Sequence, residues 1–303
     1  MITQRISVEC GLTQAYVQLL ANTASHRYKS YKIKKRTKGY RQIEHPAREL
    51  KLVQRWLINN IFVHLPVHES VYSYRRGISI SKHASLHVKN SFLMRIDFAD
   101  FFPSIRAVDI RNLLDENALF FDESLSKRDI QIIAKLVCRN GNLTIGAPSS
   151  PILSNAILFQ FDESVSRLCR KSGVLYSRYA DDLYFSTNKA DILNSVYEYV
   201  DVLIKEMKTP RIRINRDKTV FTSRKRLRRV TGLVLTSDKK VSLGRDKKRY
   251  IRSLVYKYMN DELSKPKTAY LRGYLAFAVS VEPTFINSLE NKYGKELLDE
   301  IRG

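Results

Sequence analysis

Two adjacent aspartates, Asp181 and Asp182, lie between two short apolar runs in the segment SRYADDLYFST. The flanking runs, residues 174–179 and 183–187, are β-rich and predict a hairpin whose tip carries both carboxylates. Two carboxylates held this close repel each other unless they share a cation, and Mg²⁺ is bound by oxygen ligands. Because paired aspartates are also common in exposed turns, a metal site requires further acids from elsewhere in the chain.

Asp97 is a third candidate carboxylate, at the end of the apolar run LMRID. An aspartate that ends a buried strand without a partner is costly, which favours a functional role for this side chain. The alternative is an aspartate that caps the turn after the strand. Two metal ions about 3.5–4 Å apart need carboxylates from more than one segment. Asp97 and the aspartate pair are compatible with such a site.

The chain of 303 residues is strongly basic, with 53 Lys and Arg against 30 Asp and Glu. Nineteen basic and four acidic residues lie between Lys205 and Lys257, so this stretch carries most of the excess. Such a concentration predicts a polyanion that is bound through its phosphates, although a solvated face or an anionic lipid surface are alternatives. Tyr250, Tyr256 and Tyr258 favour nucleic acid because tyrosine rings stack on bases, but the same rings also fit a helix core.

The composition indicates a folded globular protein. Hydrophobic residues make up 44% of the chain, enough for a large core and two or three subdomains. No apolar run approaches the roughly 20 residues that span a bilayer, and the first ten residues lack the apolar core of a secretion signal. The three distant cysteines suggest neither a disulfide framework nor a cysteine zinc site. We therefore expect a cytoplasmic protein with no membrane partner.

The order of the predicted elements indicates an α+β fold. The predicted elements are helices over 50–65, 126–139, 149–173 and 192–208, strands over 93–97 and 230–236, the hairpin over 174–187, and a helical tail after residue 244. Strand, helix, hairpin, helix and strand predict an antiparallel sheet with helices on one face. The helical tail predicts a separate small subdomain.

Several motifs, in this order along the chain, resemble those of bacterial retron reverse transcriptases, which are related to the group II intron enzymes. Tyr179-Ala180-Asp181-Asp182 resembles the YxDD signature, and Asp97 with Phe101-Phe102 resembles the first palm motif. The remaining similar segments are GAPSSP at 146–151, Asn215 and Lys218 in INRDKT, the VTG tripeptide at 230–232, a fingers-like segment at 34–57 and a thumb-like segment at 272–281.

The resemblance implies a right-hand polymerase with fingers, palm and thumb. The implied bounds are 1–90 for the N-terminal region and fingers, 91–236 for the palm with fingers helices inserted at about 110–145, and 237–303 for the thumb. The implied activity uses dNTPs to copy part of a cognate structured non-coding RNA into single-stranded DNA (msDNA), primed from an RNA 2′-hydroxyl. The alternatives are a group II intron-like or other bacterial defence reverse transcriptase, or an inactive RNA-binding scaffold on the same fold.

The resemblance also implies roles for individual residues. Asp97, Asp181 and Asp182 would hold two Mg²⁺ ions, with Asp182 the less direct ligand, and Lys218 would protonate the leaving pyrophosphate. Residues implied at the nucleotide are Lys35 and Arg41, which would clamp the triphosphate, Phe102, which would reject a 2′-hydroxyl, and the main chain of Gly146 and Ala147. Residues expected to contact nucleic acid are His83, His87, Arg226, Arg228, Arg229, Lys247, Lys248, Arg249 and Tyr250.

Two positions depart from the family pattern. Ile145 stands where a Gln usually precedes the Gly of GAP, so a polar contact to the nucleotide is lost there. His83 replaces the Asn of an Asn-Ala-x-x-His element, with His87 at its end. His64 and His68 have the same spacing, which would suit zinc, but the lack of nearby cysteines or acids favours RNA or structural contacts instead.

The resemblance further implies partners beyond the RNA. The family's biology implies a role in anti-phage defence, with a toxin or effector protein encoded nearby. Because the chain ends soon after the predicted thumb, we expect a host RNase H to remove the template.

Overall fold

The computed structural model describes residues 1–35, 39–121 and 124–303. Residues 36–38 of the predicted fingers segment and residues 122–123 of the predicted inserted helices lie outside the described residues. The α-helices are α1 (Ile2–Cys10), α2 (Gln14–Thr23), α3 (Arg48–Asn60), α4 (Ile80–His87), α5 (Phe101–Ser104), α6 (Ala107–Glu116), α7 (Lys127–Val137), α8 (Ser150–Ile157), α9 (Phe159–Ser172), α10 (Ile192–Glu206), α11 (Arg245–Met259), α12 (Lys265–Val281), α13 (Pro283–Tyr293) and α14 (Lys295–Arg302). The β-strands are β1 (Tyr28–Lys34), β2 (Tyr40–Pro46), β3 (Phe92–Ala99), β4 (Leu175–Tyr179), β5 (Asp182–Thr187), β6 (Arg213–Ser223), β7 (Arg228–Val230), β8 (Leu233–Leu235) and β9 (Val241–Ser242).

A four-stranded sheet with the order β4-β5-β3-β6 contains the predicted hairpin and the predicted strand over 93–97. The hairpin strand β5 pairs with β3, and β6 pairs with the other side of β3. The strand β6 was not predicted because its charged run, with Arg216, Asp217 and Lys218, lacks apolar alternation. The strand order therefore brings together three segments that are far apart in the sequence.

Two smaller sheets complete the strands of the described residues. The strands β1 and β2 form an antiparallel hairpin in which Tyr28 faces Pro46 and Lys34 faces Tyr40. The strands β7, β8 and β9 form an antiparallel sheet. Thr231 and Gly232 of the VTG tripeptide have φ values of 46° and 81°. They form the two-residue turn between β7 and β8, so the single strand predicted over 230–236 is wrong.

The helices follow the predicted pattern with three differences. The helix predicted over 149–173 is two helices, α8 and α9, which are separated at Leu158. The helix predicted over 50–65 ends at Asn60 and is followed by a 3₁₀ turn. The helical tail contains four helices where three were predicted. No helix in the described part of the chain is both long and apolar enough to cross a membrane.

The chain divides into two compact units. The first unit comprises Met1–Arg76, Arg95–Leu183 and Asp191–Val220, and the second comprises Gly77–Met94, Tyr184–Ala190 and Phe221–Gly303. In the first unit, Leu20, Leu57 and Ile133 are fully buried where α2, α3 and α7 pack. In the second unit, Leu271 and Leu298 are fully buried between α12 and α14. The fingers, palm and thumb bounds given above remain a prediction.

Candidate active site

The tip of the β4–β5 hairpin is a tight turn made by Ala180 and Asp181. Ala180 has a φ of 55°, a left-handed conformation that is unfavourable for a residue with a Cβ. The Phe98 N–H of β3 donates to the Asp181 carbonyl at 3.0 Å. The turn is thereby fixed beside β3, in the first unit.

Asp97 lies on β3 and is 7% exposed. Its Oδ1 accepts a hydrogen bond from Lys218 Nζ on β6 at 2.9 Å. Burial of a carboxylate is costly unless a cation or hydrogen bond compensates for the lost hydration. Lys218 provides this compensation. The acid predicted to be functional, Asp97, is therefore held in an ion pair on β3.

The Asp181 carboxyl lies in the field of Asp97. Burial raises the pKa of Asp181, the negative charge of Asp97 raises it further, and Lys218 and Arg41 oppose this rise. Mutual repulsion between two partly buried carboxylates is relieved when a cation binds between them. Asp97 and Asp181 therefore fit a divalent cation by charge and by their oxygen donors.

Asp182 is the first residue of β5, and its side chain has a different neighbour. Its Oδ1 lies 3.9 Å from Arg95 Nε. Among the described residues, no three His, Cys, Asp or Glu side chains are grouped closely enough to hold a metal ion. The structure thus places Asp97 and Asp181 in each other's electrostatic field, and the role of Asp182 as a third ligand stays a prediction.

A cleft of about 730 Å³ opens beside this carboxylate pair, entirely within the first unit. Asp181, Asn215 and Lys218 line one part of it, and Lys35 and Arg41 from the β1–β2 hairpin line another. Phe102 also lines it. Tyr40, Glu44, Tyr74 and Ile145 also line the cleft. The structure therefore places the predicted triphosphate clamp, the predicted proton donor and the predicted sugar gate around one space.

Gly146 and Ala147 are not among the residues that line the cleft, which extends to Ile145. Ala147 is 3% exposed, and its predicted main-chain contact with the nucleotide stays a prediction. Gly146 has a φ of +122°, and a Cβ on it would lie 2.7 Å from the Glu44 carbonyl oxygen. The Glu44 N–H donates to the Ile145 carbonyl at 2.8 Å. The glycine therefore allows β2 to approach the loop that forms the cleft wall.

Tyr74 lines the cleft and was not predicted from the sequence. Its backbone is left-handed, with a φ of 57°. Burial raises the pKa of Tyr74, the charge of Asp181 raises it further, and Arg41 opposes the rise. Its position beside the carboxylate arises from tertiary packing, and no local pattern distinguishes it from the other tyrosines of its segment.

Beneath the hairpin turn lies a buried ion pair that was also not predicted. Arg178 and Asp162 are both 0% exposed, with Arg178 Nη2 2.6 Å from Asp162 Oδ2 and Nε 2.9 Å from Oδ1. Tyr176 Oη donates to the same carboxylate at 2.6 Å. Arg178 Nη1 donates to the Ala180 carbonyl at 3.3 Å, and the Ala180 N–H donates to Ser73 Oγ at 2.8 Å. This network supports the strained turn that carries Asp181.

Three residues predicted to contact nucleic acid are buried in the second unit. His83 and His87 are 0% exposed and pack with Tyr184, and His87 Nδ1 is 2.7 Å from Ser186 Oγ. Arg228 is 1% exposed, and it donates to the Thr236 carbonyl at 2.9 Å. Because these three side chains lie in the core and cannot reach a nucleic acid, the role predicted for them is wrong. The sequence pattern does not reveal their burial.

The other residues predicted to contact nucleic acid reach the surface to different degrees. Lys247 donates to the Gly232 carbonyl at 2.8 Å, and Lys248 pairs with Glu282 at 2.9 Å, so both ammonium groups have protein partners. Arg226, Arg229, Arg249 and Tyr250 are exposed, which leaves them suitable for a nucleic acid. Tyr250 is 48% and Tyr256 is 54% exposed, so neither ring is a helix-core residue.

Residues 33–250 match the family model described as reverse transcriptase (RNA-dependent DNA polymerase). The chain is 37% identical over 316 residues to the retron Ec83 reverse transcriptase of Escherichia coli, covering 98% of this chain and 97% of that protein. It is 33% identical over 307 residues to the retron Ec86 reverse transcriptase of the same species, covering 98% and 90%. The matched segment contains Asp97, Asp181 and Lys218.

Solved telomerase structures share the fold. Apo telomerase from Candida tropicalis superposes with a TM-score of 0.54 at 12% identity, over 87% of this chain and 58% of that chain. Telomerase from Candida albicans, in complex with a TWJ fragment of telomeric RNA, gives 0.51 at 13% identity, over 90% and 59%. This likeness confirms the α+β right-hand polymerase fold that the motifs predict.

Proposed function

Because the chain belongs to the reverse transcriptase (RNA-dependent DNA polymerase) family, we propose that it copies part of a cognate structured RNA into msDNA. It is an RNA-directed DNA polymerase of retron type. The observation that carries the proposal is the carboxylate pair of Asp97 and Asp181 beside a cleft lined with cations. Priming from an RNA 2′-hydroxyl, which would leave a branched RNA–DNA product, is the finer part of the proposal.

Asp97 and Asp181 would hold Mg²⁺, with Asp182 as the less direct ligand. Two bound Mg²⁺ ions would supply Lewis-acid chemistry, lowering the pKa of the primer hydroxyl and offsetting charge on the α-phosphate. Arg41 and Lys35 would bind the triphosphate, since both line the cleft that contains Asp181. An arginine suits this task because its planar fork can engage two phosphate oxygens.

Lys218 would donate a proton when pyrophosphate leaves. The role is supported by the position of Lys218, which lines the cleft and whose ammonium donates to Asp97. Phe102 would exclude a ribose 2′-hydroxyl by bulk, because its ring lines the same cleft and rests against Phe101 with ring centroids 5.3 Å apart. Gly146 would contribute by allowing the Glu44 backbone of β2 to lie close to the cleft wall.

The exposed residues Arg226, Arg229, Arg249 and Tyr250 would contact the RNA or its DNA product through phosphates and base stacking. Lys247 and Lys248 would add to these contacts beside their present protein partners, because an ammonium has three N–H donors. A toxin or effector encoded nearby, a host RNase H and a role in anti-phage defence complete the proposal and rest on the family resemblance. A cytoplasmic location stays a prediction from the sequence.

Primer extension with the RNA transcribed beside the coding frame tests the proposal. Wild-type protein with Mg²⁺ and dNTPs should produce DNA joined to RNA by a bond that a debranching enzyme cleaves, and Asp97→Asn or Asp181→Asn should produce none. Synthesis on any primed template, without a branch, would favour the group II intron-like alternative. No synthesis on any RNA would favour the inactive scaffold.

A binding measurement separates a metal site from a merely structural pair. Mg²⁺ should raise the Tm of the wild-type protein, because a ligand that binds the folded state stabilises it. Asp181→Asn should lose that dependence. Because this substitution removes the repulsion with Asp97, we expect its Tm in metal-free buffer to equal or exceed that of the wild type. A Tm that responds equally to Mg²⁺ in both proteins would contradict the assignment.

A further inference from the structure

A second cavity lies at the base of the β1–β2 hairpin, and none of its residues has a role in the proposed nucleotide addition. It has a volume of about 930 Å³ and shares no lining residue with the cleft. We call it the basal cavity. Its wall comes from the start of β1, the end of β2 and the first two turns of α3, all in the first unit. The residues that line it are His26, Arg27, Tyr28, Lys29, His45, Pro46, Ala47, Arg48, Glu49, Lys51, Leu52 and Arg55.

Cationic side chains dominate the wall of the basal cavity, with five Lys or Arg against a single acid, Glu49. Arg48, Lys51 and Arg55 are spaced by three and four positions, so they lie on one face of α3. The opposite face of α3 is fully buried, with Leu50 and Leu57 in the core. The helix therefore presents its cations to the cavity because its other face packs inward.

The N-terminus of α3 adds to this positive field. The helix begins at Arg48, and its N-cap residue, Ala47, has no side chain that could accept from the first N–H groups. Pro46, Ala47, Arg48 and Glu49 all line the basal cavity. Uncapped N–H groups carry a partial positive charge and bind anions, phosphate above all. The cavity thus combines a row of cations with a helix terminus.

We propose that the basal cavity binds the phosphodiester backbone of the RNA, away from the reaction cleft. Arg48 and Arg55 are about 10 Å apart along the helix axis, so the row can contact more than one phosphate. A concave site of this kind suits a strand that enters it rather than a flat anionic surface. This inference rests on the proposed function for the identity of the polyanion, but not for the existence of the anion site.

A charge-matched pair of variants tests the basal cavity. Arg48→Gln, Lys51→Gln and Arg55→Gln together remove three cavity cations, and Gln has a helix propensity close to that of Arg and Lys. Arg111→Gln, Lys127→Gln and Lys171→Gln remove three exposed cations of the first unit that line neither cavity. RNA affinity is measured by fluorescence anisotropy from 50 to 200 mM salt, which is roughly the range over which phosphate contacts dominate the salt dependence.

The cavity variant should reduce the slope of log K against log salt by about 0.7 for each lost phosphate contact, or roughly 2 in all. The control variant should keep the wild-type slope. Equal slopes in the two variants would overturn the proposal. An unchanged RNA slope with a raised KM for dNTPs would assign the cavity to free nucleotides and would overturn it as well. If the wild type made no DNA but the slopes still differed, the anion site would stand and the polymerase function would fall.

Discussion

Lys218 and Asp97 are separated by 121 positions in the sequence, yet Lys218 Nζ lies 2.9 Å from Asp97 Oδ1. They meet because β6 pairs with β3 in the central sheet. The ammonium neutralises a buried carboxylate and lines the cleft at the same time. This arrangement ties a stabilising ion pair to a group that we assign to proton transfer.

Lys218→Met should lower kcat for nucleotide addition by about 100-fold, a loss typical of a missing general acid. The KM for dNTPs should change less, because Arg41 and Lys35 remain to bind the triphosphate. Arg41→Met is the matched comparison, and it should mainly raise KM. Steady-state kinetics measures both constants, and a loss confined to KM in Lys218→Met would contradict the proton-transfer role.

Phe102→Ala should raise ribonucleotide incorporation relative to deoxynucleotide incorporation by about tenfold or more, as loss of a steric contact in a pocket usually does. Competition between matched rNTP and dNTP pairs on one template measures this ratio. Tyr40→Ala changes another aromatic side chain that lines the cleft and serves as a control. Unchanged discrimination in Phe102→Ala would remove the sugar-gate assignment.

Gly146→Ala should both destabilise the protein and raise the KM for dNTPs. The added Cβ would meet the Glu44 carbonyl at 2.7 Å, so β2 must move and carry Arg41 with it. Gly141→Ala is the matched control, because Gly141 also has a positive φ, +80°, but no atom within 4 Å of its Cβ position.

Both glycine variants should lose stability from the left-handed backbone, by about 1–2 kcal/mol. Only Gly146→Ala should alter nucleotide binding. Urea unfolding and steady-state kinetics separate the two effects, and an equal rise of KM in both variants would argue against the close approach of β2 as its cause.

Asp162→Asn should cost about 3–5 kcal/mol of unfolding free energy, because it leaves the Arg178 guanidinium buried without a counter-charge. Glu69→Gln removes a carboxylate that pairs with Arg170 at the surface, and should cost about 0–1 kcal/mol. The difference in unfolding free energy is measured from the urea midpoints, with the same m-value for both variants. Similar losses in the two variants would show that the buried pair contributes no more than a surface one.

The stability of the protein should fall in mild acid because of His83 and His87. Burial lowers the pKa of His83 to about 3, and the pKa of His87 is also well below its usual value. The unfolded chain therefore binds more protons than the folded chain between an ordinary histidine pKa near 6.5 and the lowered values. Stability is complete above that ordinary pKa and is lost as the pH falls, by up to about 1.4 kcal/mol per pH unit for each ring.

His83→Asn removes one of these titrating groups and should halve their combined contribution to that slope. His26→Asn is the control, since His26 is exposed. Urea unfolding from about pH 4 to pH 8, which covers most of the range between the lowered and the ordinary histidine pKa, measures how the unfolding free energy changes with pH in both variants. An acid limb as steep in His83→Asn as in the wild type would contradict the buried neutral state of this ring.

The sequence by itself determined the chemistry and the local elements. The acids Asp97, Asp181 and Asp182 end or begin apolar runs, and such runs predict a strand and a hairpin whatever surrounds them. The amphipathic spacing of α7 and α10 likewise predicts helices at nearly their final bounds. The order of the motifs along the chain identified the family, because each motif contains residues that the reaction requires.

Only the tertiary structure decided which side chains meet and which are buried. The pairing of β6 with β3 brings Lys218 to Asp97, and no local pattern in β6 encodes that partner. Burial turned His87 and Arg228 into core residues, although their sequence context is that of a basic surface. Polarity and spacing are properties of neighbours along the chain, whereas strand partners and exposure depend on residues a hundred positions away.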